Sequence, residues 1–146
     1  IDPVVKYITD FADAGADIIT VHIEAEDDIR GAVELVRSLG KKAGIAINPE
    51  TKIDTIIPFL DIIDQVIVMS VHPGSAGQPF IGDSIDRIGK IKALIANRDI
   101  LLEVDGGISS LCSQDCINAG CDILVAGSSI FNSNNYKRSI SEIMGS

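Results

Sequence analysis

The stretch Glu103-Val104-Asp105-Gly106-Gly107-Ile108 joins apolar strand residues to an acidic residue and two adjacent glycines. This order places one carboxylate at the carboxyl end of a predicted strand, beside a backbone that a ligand can approach closely. The same layout, a strand followed by a glycine loop, recurs over residues 69–80 and 125–131. Three successive strand ends with ligand-type loops indicate an enzyme site on one face of a repeating β/α sheet.

Strands and helices alternate along the whole chain. The strands are near-continuous apolar runs, which is typical of a parallel sheet buried on both faces. The spacing of successive strands is typical of βαβ units. We predict strands over 17–23, 43–47, 65–71, 100–104 and 123–126, a first helix that ends at Gly15, and further helices over 26–39, 53–60, 84–96, 110–119 and 136–144.

Two helix-to-strand junctions nearly repeat, Ala14-Gly15-Ala16-Asp17 and Ala119-Gly120-Cys121-Asp122. Such self-similarity favours a TIM (β/α)8 barrel over a doubly wound sheet. Because five strands cannot close an eight-stranded barrel, we predict that residues 1–146 form a single partial barrel domain. It comprises the last five βα units preceded by a helix, with the first three strands absent. We interpret the opening at Ile1, rather than at a methionine, as the sign of a fragment or a processed chain.

The composition excludes several classes of partner. The 146 residues carry a formal net charge of −9 and include no tryptophan. A nucleic-acid surface needs basic patches and, for single strands, aromatic platforms, so we expect no nucleic-acid partner. No apolar run approaches the roughly 20 residues that span a bilayer, and no signal peptide opens the chain. We therefore expect no membrane partner and a cytoplasmic location. An anionic substrate stays open, because backbone amides bind phosphate locally.

Two glycine loops follow the last two predicted strands, at Gly106-Gly107 and Gly127-Ser128. Barrel enzymes commonly bind phosphate at the loops after their last two strands. Glycine lets backbone amides reach an anion, and a following helix adds a favourable dipole. These loops are therefore candidate phosphate ligands. The alternative is that the glycines serve only tight turns between strand and helix.

Asp105 stands between apolar Val104 and the glycine pair. A carboxylate at this position suits a general acid or base, or a metal ligand. The alternative is an N-cap of the following helix, a common role for Asp after a strand. The local sequence does not decide between the two.

The loop over residues 73–80 holds two glycines, two prolines and few side chains that would anchor it. We interpret it as a mobile lid over the site, with a passive surface connection as the alternative. His22 and His72 each follow a predicted strand, and each is either a ligand or a filler of the core or surface. We interpret Met69 as a packing residue that also lines the site.

An acidic cluster precedes Arg30 at the predicted start of a helix. We interpret it as favouring the helix dipole and solvation rather than as binding metal. Its members are Glu24, Glu26, Asp27 and Asp28.

The chain has three cysteines, Cys112, Cys116 and Cys121, and the first two are four residues apart on a predicted helix. One interpretation is a metal-binding or redox pair. We favour the other, small half-buried helix residues in a reducing cytosol, because no set of His or Cys partners lies nearby in the sequence.

Five stretches of the chain together resemble ribulose-phosphate 3-epimerase. Any one of them is a weak signal, but all five in this order and spacing are highly specific, and they cover essentially the whole chain. They are Ala14-Gly15-Ala16-Asp17 with Thr20-Val21-His22-Ile23-Glu24, Asn48-Pro49-Glu50-Thr51, Met69-Ser70-Val71 with Pro73-Gly74 and Gly77-Gln78-Pro79-Phe80, Glu103-Val104-Asp105-Gly106-Gly107-Ile108, and Ala126-Gly127-Ser128-Ser129-Ile130-Phe131.

The resemblance implies a TIM barrel that interconverts D-ribulose 5-phosphate and D-xylulose 5-phosphate in the pentose phosphate pathway. In this family a divalent metal (Zn, Fe, Mn or Co) polarises the C2 carbonyl. One Asp removes the C3 proton to give an enediolate, and a second Asp on the opposite face returns a proton. The chemistry is coherent, because a metal stabilises the developing oxyanion and inversion needs carboxylates on opposite faces.

The resemblance also implies roles for particular residues. Asp105 matches the family's later catalytic Asp, which is both an acid/base and a metal ligand. The lid that covers substrate matches Gly74, Ser75, Ala76 and Gly77, and the phosphate grip matches Gly106, Gly107, Gly127 and Ser128. Two departures are that Ser75-Ala76 replaces the more usual Phe-Gly of the lid, and that His72 lies where the family varies.

The family places its other catalytic Asp, a substrate-binding Ser and the remaining metal ligands (two His and that Asp) on the first three strands. We therefore expect the full gene product to be an epimerase, and the 146 residues alone to be inactive with weak metal affinity.

Three alternatives stay open. A 3-epimerase of the same family that acts on a ketohexose phosphate such as allulose 6-phosphate comes next, although Gly107 after Asp105-Gly106 favours the pentose branch. A non-catalytic half-barrel that assembles with other copies is the second, because open sheet edges tend to pair, and we expect a homo-oligomer. Indole- or thiazole-forming phosphate barrels share the late phosphate loops but lack the Met-Ser-Val-x-Pro-Gly lid, so they rank third.

Overall fold

Five parallel strands form one sheet, and their order in space is their order along the chain. The computed structural model describes residues 3–25, 28–75 and 77–145. The strands are β1 (Ile18–His22), β2 (Lys42–Ile47), β3 (Gln65–Met69), β4 (Leu101–Asp105) and β5 (Ile123–Val125). The helices are α1 (Val5–Asp13), α2 (Ile29–Ser38), a 3₁₀ helix (Ile53–Phe59), α3 (Ser84–Ile95), α4 (Ser113–Asn118), α5 (Ser128–Phe131) and α6 (Tyr136–Met144).

The strands alternate between two faces of the sheet. On β4, Leu102 and Val104 have no solvent exposure, whereas Glu103 and Asp105 are half-buried. Leu102 and Val104 belong to the apolar core that α3 covers, so Glu103 and Asp105 lie on the opposite face, which we call the inner face. The strand pairing places Met69, Ala46 and His22, among others, on this inner face as well.

Helix α3 shows why a helix forms between β3 and β4. Its residues Ile88, Ile91 and Ile95 recur at helical spacing and are buried against the sheet. Burying one such side chain contributes about 1.5–3 kcal/mol, so this single stripe accounts for much of the docking of α3.

The internal repeat predicted from the sequence has a structural counterpart. Gly15 and Gly120 each follow a helix and have φ of 103° and 102°, a conformation that glycine adopts most readily. Both junctions lead directly into an apolar strand. The repeated sequence therefore encodes the same helix stop before β1 and before β5.

The ends of several elements differ from the sequence-based prediction. The helix predicted over 53–60 is a 3₁₀ helix that contains Pro58. Strand β3 ends at Met69 rather than at residue 71, because the chain turns into the loop that packs on β4. The predicted start of α2 at Glu26 lies outside the described residues, and Asp28 caps the observed start by accepting a hydrogen bond from the Gly31 amide at 3.0 Å. Helix α5 has no counterpart among the predicted helices.

The sheet has two open edges. Within the described ranges, β1 pairs with β2 alone and β5 pairs with β4 alone. Ile18 on β1 and Val125 on β5 are each 37 % exposed. In the same ranges, every helix is too short or too polar to cross a membrane.

Candidate active site

The loops after β3, β4 and β5 meet at the carboxyl ends of the strands and line one cavity of about 310 Å³, which we call the site cavity. It brings together every predicted site residue that the structure describes. These are Gly74, Ser75, Gly77, Asp105, Gly106, Gly107, Gly127 and Ser128, joined by Met69 and His72. Predicted lid residue Ala76 lies outside the described residues. Two other cavities, beside α1 and beside α6, are lined mainly by apolar side chains.

Asp105 is the last residue of β4, and its side chain lies on the inner face next to Met69. Burial raises the pKa of the Asp105 carboxyl. Within residues 3–25, 28–75 and 77–145, no hydrogen bond or ion pair holds this carboxylate. The alternative of a helix N-cap is wrong, because α4 begins at Ser113 and its N-cap position is Cys112. A half-buried carboxylate without a structural partner suits proton transfer.

Ser70 holds the end of β4 in place. It has no solvent exposure, and its backbone amide donates to the Asp105 carbonyl at 2.8 Å. Its hydroxyl donates to the carbonyls of Asp105 at 3.0 Å and of Gly106 at 2.7 Å. The site backbone is thereby fixed from the neighbouring strand.

Gly106 and Gly107 are required by close packing against the loop after β3. Both have positive φ, 123° and 64°. A Cβ on Gly107 would lie 2.5 Å from the Phe80 amide nitrogen, and one on Gly106 would lie 2.6 Å from a Val71 methyl group. The turn interpretation therefore has a clear structural basis, while both glycines also line the site cavity.

Gly127 and Ser128 complete the cavity from the β5 side. Gly127 is the N-cap residue of α5, which is only four residues long, so the helix dipole expected at this loop is small. A Cβ on Gly127 would meet no atom within 4 Å, so packing alone does not require this glycine. The Ser129 hydroxyl donates to the Ile108 carbonyl at 2.6 Å and joins the β4 and β5 loops.

Gln78 and Glu50 hold the predicted lid through three contacts. The Gln78 side-chain amide donates to the backbone carbonyls of His72 and Ser75, each at 2.9 Å. At the base of the lid, His72 Nδ1 lies against Glu50 of the β2 loop. The described residues 72–75 and 77 are all exposed.

A polar row crosses the inner face below the site cavity. Thr20 donates to Gln65 at 3.3 Å, and Gln65 donates to Glu103 at 2.5 Å. The absence of a side chain at Gly44 leaves room for Thr20 to make this contact across β2. Burial, and then the charge of Asp105, raise the pKa of the Glu103 carboxyl.

Glu24 differs from its interpretation as part of a helix-start cluster. It precedes α2 but binds the loop after β2, where it accepts hydrogen bonds from the Asn48 amide at 2.8 Å and from the Thr51 hydroxyl. Its other oxygen lies 3.0 Å from His22 Nδ1. Asp28 alone fills the predicted role at the helix start, and Glu26 and Asp27 lie outside the described residues.

A divalent metal needs several ligands around one point. In the described ranges, no group of three or more His, Cys, Asp and Glu side chains is placed to hold a metal ion. Asp105 is the one carboxylate among the described residues that line the site cavity. The described residues alone do not make a metal site.

The three cysteines are free, and they are buried rather than half-buried. Only Cys116 lies within α4, while Cys112 is its N-cap residue and Cys121 follows the helix. Burial raises the pKa of the Cys116 thiol to about 12 and that of Cys121 to about 11. Thiols with such pKa values are poor nucleophiles at neutral pH, so Cys116 and Cys121 have a packing role.

Comparison with known protein families identifies the family to which the chain belongs. The model of the ribulose-phosphate 3-epimerase family matches residues 1–131. The chain belongs to this family. The resemblance read from the five sequence stretches is thereby confirmed, and so is its assignment to a family of isomerases.

Curated relatives named ribulose-phosphate 3-epimerase are similar over nearly the whole chain. The Bacillus subtilis protein is 40 % identical over 97 % of this chain and 66 % of its own length. The Rhodobacter capsulatus protein is 42 % identical over 90 % and 57 %, and the Escherichia coli K12 protein is 39 % identical over 98 % and 64 %. The chain spans roughly three fifths of the length of these epimerases.

Solved structures confirm the barrel fold. The chain resembles 3-hexulose-6-phosphate synthase from Salmonella typhimurium with a TM-score of 0.73 and 23 % identity, over 99 % of this chain and 67 % of that one. It resembles KGPDC from Streptococcus mutans with a TM-score of 0.72 and 16 % identity, over 99 % and 66 %. The five-stranded sheet is therefore a partial TIM barrel.

Sequence reasoning assigned no role to three polar residues that shape the site. Ser70 holds the β4 end, Gln78 fastens the lid and Gln65 binds Glu103. For Gln65 and Ser70 the usable signal was a polar residue inside or directly after an apolar strand, since burial of such a group demands a partner. Gln78 lies in the loop after β3 and carried no such signal.

Proposed function

We propose that the protein containing this site cavity is a ribulose-phosphate 3-epimerase, which interconverts D-ribulose 5-phosphate and D-xylulose 5-phosphate. The observation that carries this proposal is the half-buried carboxylate of Asp105, which no side chain among the described residues pairs, in a cavity built from three glycine loops. Membership of the epimerase family supports it. Because the interconversion of these two sugar phosphates belongs to the pentose phosphate pathway, we assign the protein to that pathway.

Asp105 is the group that moves a proton. Its carboxylate takes the C3 proton of the substrate, and the C–H electron pair forms the C2–C3 double bond of an enediolate whose charge resides on O2. A group transfers protons most efficiently when its pKa lies near the working pH. Burial raises the pKa of the Asp105 carboxyl in that direction. Inversion at C3 needs a second proton donor on the opposite face, and the described lining of the cavity holds no second carboxylate.

The glycine loops bind the phosphate of the substrate. Gly106, Gly107, Gly127 and Ser128 line one cavity. Backbone amides of such glycine loops suffice to bind an anion. The lid residues Gly74, Ser75, Ala76 and Gly77 cover the sugar and exclude water, which strengthens the electrostatic interactions of Asp105.

The test is a titration of the ¹⁵N-labelled chain with D-ribulose 5-phosphate, followed by amide resonances. We expect shifts in the loops over 74–78, 105–108 and 127–129, with allulose 6-phosphate and inorganic phosphate as comparison ligands. We also expect no xylulose 5-phosphate to form, because the described lining of the site cavity holds no second carboxylate that could act as the opposite-face proton donor. Unchanged resonances in all three loops would overturn the proposed site.

A hexose-phosphate epimerase is distinguished by the same titration. Tighter binding of allulose 6-phosphate than of D-ribulose 5-phosphate would favour it.

The open sheet edges favour a second candidate function, a half-barrel that assembles with another copy. Unpaired edges of parallel strands present free backbone groups. Near the β5 edge, Phe131 and Tyr136 are exposed and pack edge to face at 5.7 Å. Light scattering after gel filtration tests this proposal, since a homo-oligomer is expected and a monomer at high concentration contradicts it.

We further propose a cytoplasmic location, with no nucleic-acid or membrane partner. The net charge of −9 supports the absence of a nucleic-acid partner. Three buried cysteines without disulfides support the cytoplasmic location.

A further inference from the structure

His22 is a histidine at a strand end that the proposed mechanism does not use. It is the last residue of β1, as Asp105 is the last residue of β4. The strand pairing runs from His22 through Ala46 and Ile67 to Glu103, so His22 and Asp105 lie on the same inner face. In a barrel this is the end of the strands at which substrates bind.

Glu24 fixes one side of the His22 ring. One Glu24 oxygen lies 3.0 Å from His22 Nδ1, while the other accepts from the Asn48 amide and the Thr51 hydroxyl. Burial acts to raise the pKa of the Glu24 carboxyl, but these hydrogen bonds together lower it. Glu24 is therefore an ionised carboxylate that the β2 loop holds in place.

The pairing determines which ring nitrogen is available. A carboxylate only accepts hydrogen bonds, so in the neutral ring Nδ1 carries the proton and Nε2 keeps its lone pair. The His22 side chain is 45 % exposed, and in residues 3–25, 28–75 and 77–145 Nε2 has no hydrogen-bond partner. This Nδ1–H tautomer is the less populated one in free histidine, and the contact with the Glu24 carboxylate favours it.

We infer that His22 is a further substrate-binding residue, whose Nε2 accepts a hydrogen bond from a hydroxyl group of the sugar chain, and that Glu24 is its positioning residue. The inference rests on the proposed function, which places the phosphate at the β4 and β5 loops. The sugar then extends over Met69 toward β1. Neighbouring strands lie about 4.8 Å apart, and three such spacings separate β1 from β4. The curvature of a barrel makes the distance between β1 and β4 shorter than it would be in a flat sheet.

The experiment uses the two histidines of the chain, His22 and His72. Ring-¹⁵N-labelled histidine reports tautomers directly, and a His72→Asn variant assigns the two rings. We expect the Nδ1–H form at His22. D-ribulose 5-phosphate should shift the His22 Nε2 resonance, while inorganic phosphate should shift only the amides of the glycine loops.

The outcomes separate this inference from the proposed function. Loop amides that respond to D-ribulose 5-phosphate while the His22 ring does not would overturn the role of His22 and leave the proposed function intact. If neither responds, both fail. A His22 response to inorganic phosphate of the same size would also overturn the inference, since no hydroxyl would be involved.

Two variants test the roles of the pair. His22→Asn keeps a donor for Glu24 and removes Nε2, so the affinity for D-ribulose 5-phosphate should fall about 3- to 10-fold while that for inorganic phosphate stays unchanged. Glu24→Gln should shift the His22 ring toward the Nε2–H tautomer. Glu34→Gln, at an exposed site of α2, is the matched control and should leave the ring unchanged. Equal affinities of His22→Asn and the unmodified chain for the sugar phosphate would contradict the inference.

Discussion

Ser70 binds Asp105 through two hydrogen bonds to the same carbonyl, from its amide at 2.8 Å and from its hydroxyl at 3.0 Å. Ser70 directly follows β3, so the end of β3 determines the position of the end of β4. It thereby also positions the Asp105 carboxylate. The apolar strands bring the two residues together, and a single buried hydroxyl then fixes their relative position.

Replacing Ser70 by Ala should lower the free energy of unfolding by about 1–3 kcal/mol, because the half-buried carbonyl of Gly106 loses the hydroxyl donor of the fully buried Ser70. Denaturant unfolding measures the change. Ser38→Ala is the control, since its exposed hydroxyl bonds only the Leu35 carbonyl of its own helix, and it should change stability by less than about 0.5 kcal/mol. Equal effects of the two variants would show that Ser70 does not hold the site.

Asp105→Asn should stabilise the protein at neutral pH. Burial raises the pKa of the Asp105 carboxyl above its ordinary value of 3.8, so between the two values the folded state binds more protons than the unfolded state. Stability from this group therefore falls as pH rises through that window. The gain in Asp105→Asn should be present at pH 7 and should shrink as the pH approaches 3.8.

Urea unfolding of both proteins across pH 3.5–7 measures this difference. Asp10→Asn, at an exposed position of α1, is the control and should show no such pH-dependent gain. A loss of stability in Asp105→Asn at pH 7 would mean that the ionised carboxylate has a stabilising partner.

Gly107→Ala should destabilise the protein by about 2–4 kcal/mol, because its φ of 64° disfavours a side chain and a Cβ would collide with the Phe80 backbone. Gly89→Ala is the matched control. Gly89 lies inside α3 with open space around it, so the same change should stabilise by about 0.5–1 kcal/mol. Thermal unfolding of both variants should give shifts of opposite sign, and shifts of the same sign would contradict the packing argument.

Gln78→Ala should loosen the loop over residues 73–80, because two hydrogen bonds to its backbone are lost. We expect faster amide hydrogen exchange in this loop and about threefold weaker binding of D-ribulose 5-phosphate. Gln114→Ala, which removes an exposed contact with Asn118, is the control. Faster exchange with unchanged affinity would show that the loop is a passive connection rather than a lid.

Local patterns in the chain predicted much of the fold. Apolar runs bounded by glycines predicted five strands in sequence order, and a parallel sheet with short crossovers leaves little freedom in how such units pair. The helix over Tyr136–Met144 and the stop at Gly15 follow from periodicity and from one residue's conformational preference. The strand-end position of Asp105 was readable for the same reason.

The contacts between loops were not readable from local patterns. Glu24 stands in an acidic run that resembles a helix start. Its carboxylate nevertheless accepts hydrogen bonds from Asn48 and Thr51 in the loop after β2, which lie 24 and 27 positions away. The same carboxylate also contacts nearby His22. Gly106 and Gly107 looked like an open anion site, yet the Val71 and Phe80 segments press on them. Such contacts depend on which loops the sheet order brings together.

The sequence by itself determined the order of the β/α units, their family and the carboxylate at the end of β4, because each depends on short-range patterning of apolar, glycine and acidic residues. Only the tertiary structure decided that Ser70 fixes Asp105, that Glu24 binds the loop after β2 and that the Val71 and Phe80 segments pack on the two glycines after β4. These contacts join segments far apart in the chain, and strand pairing and core packing set the distances between them.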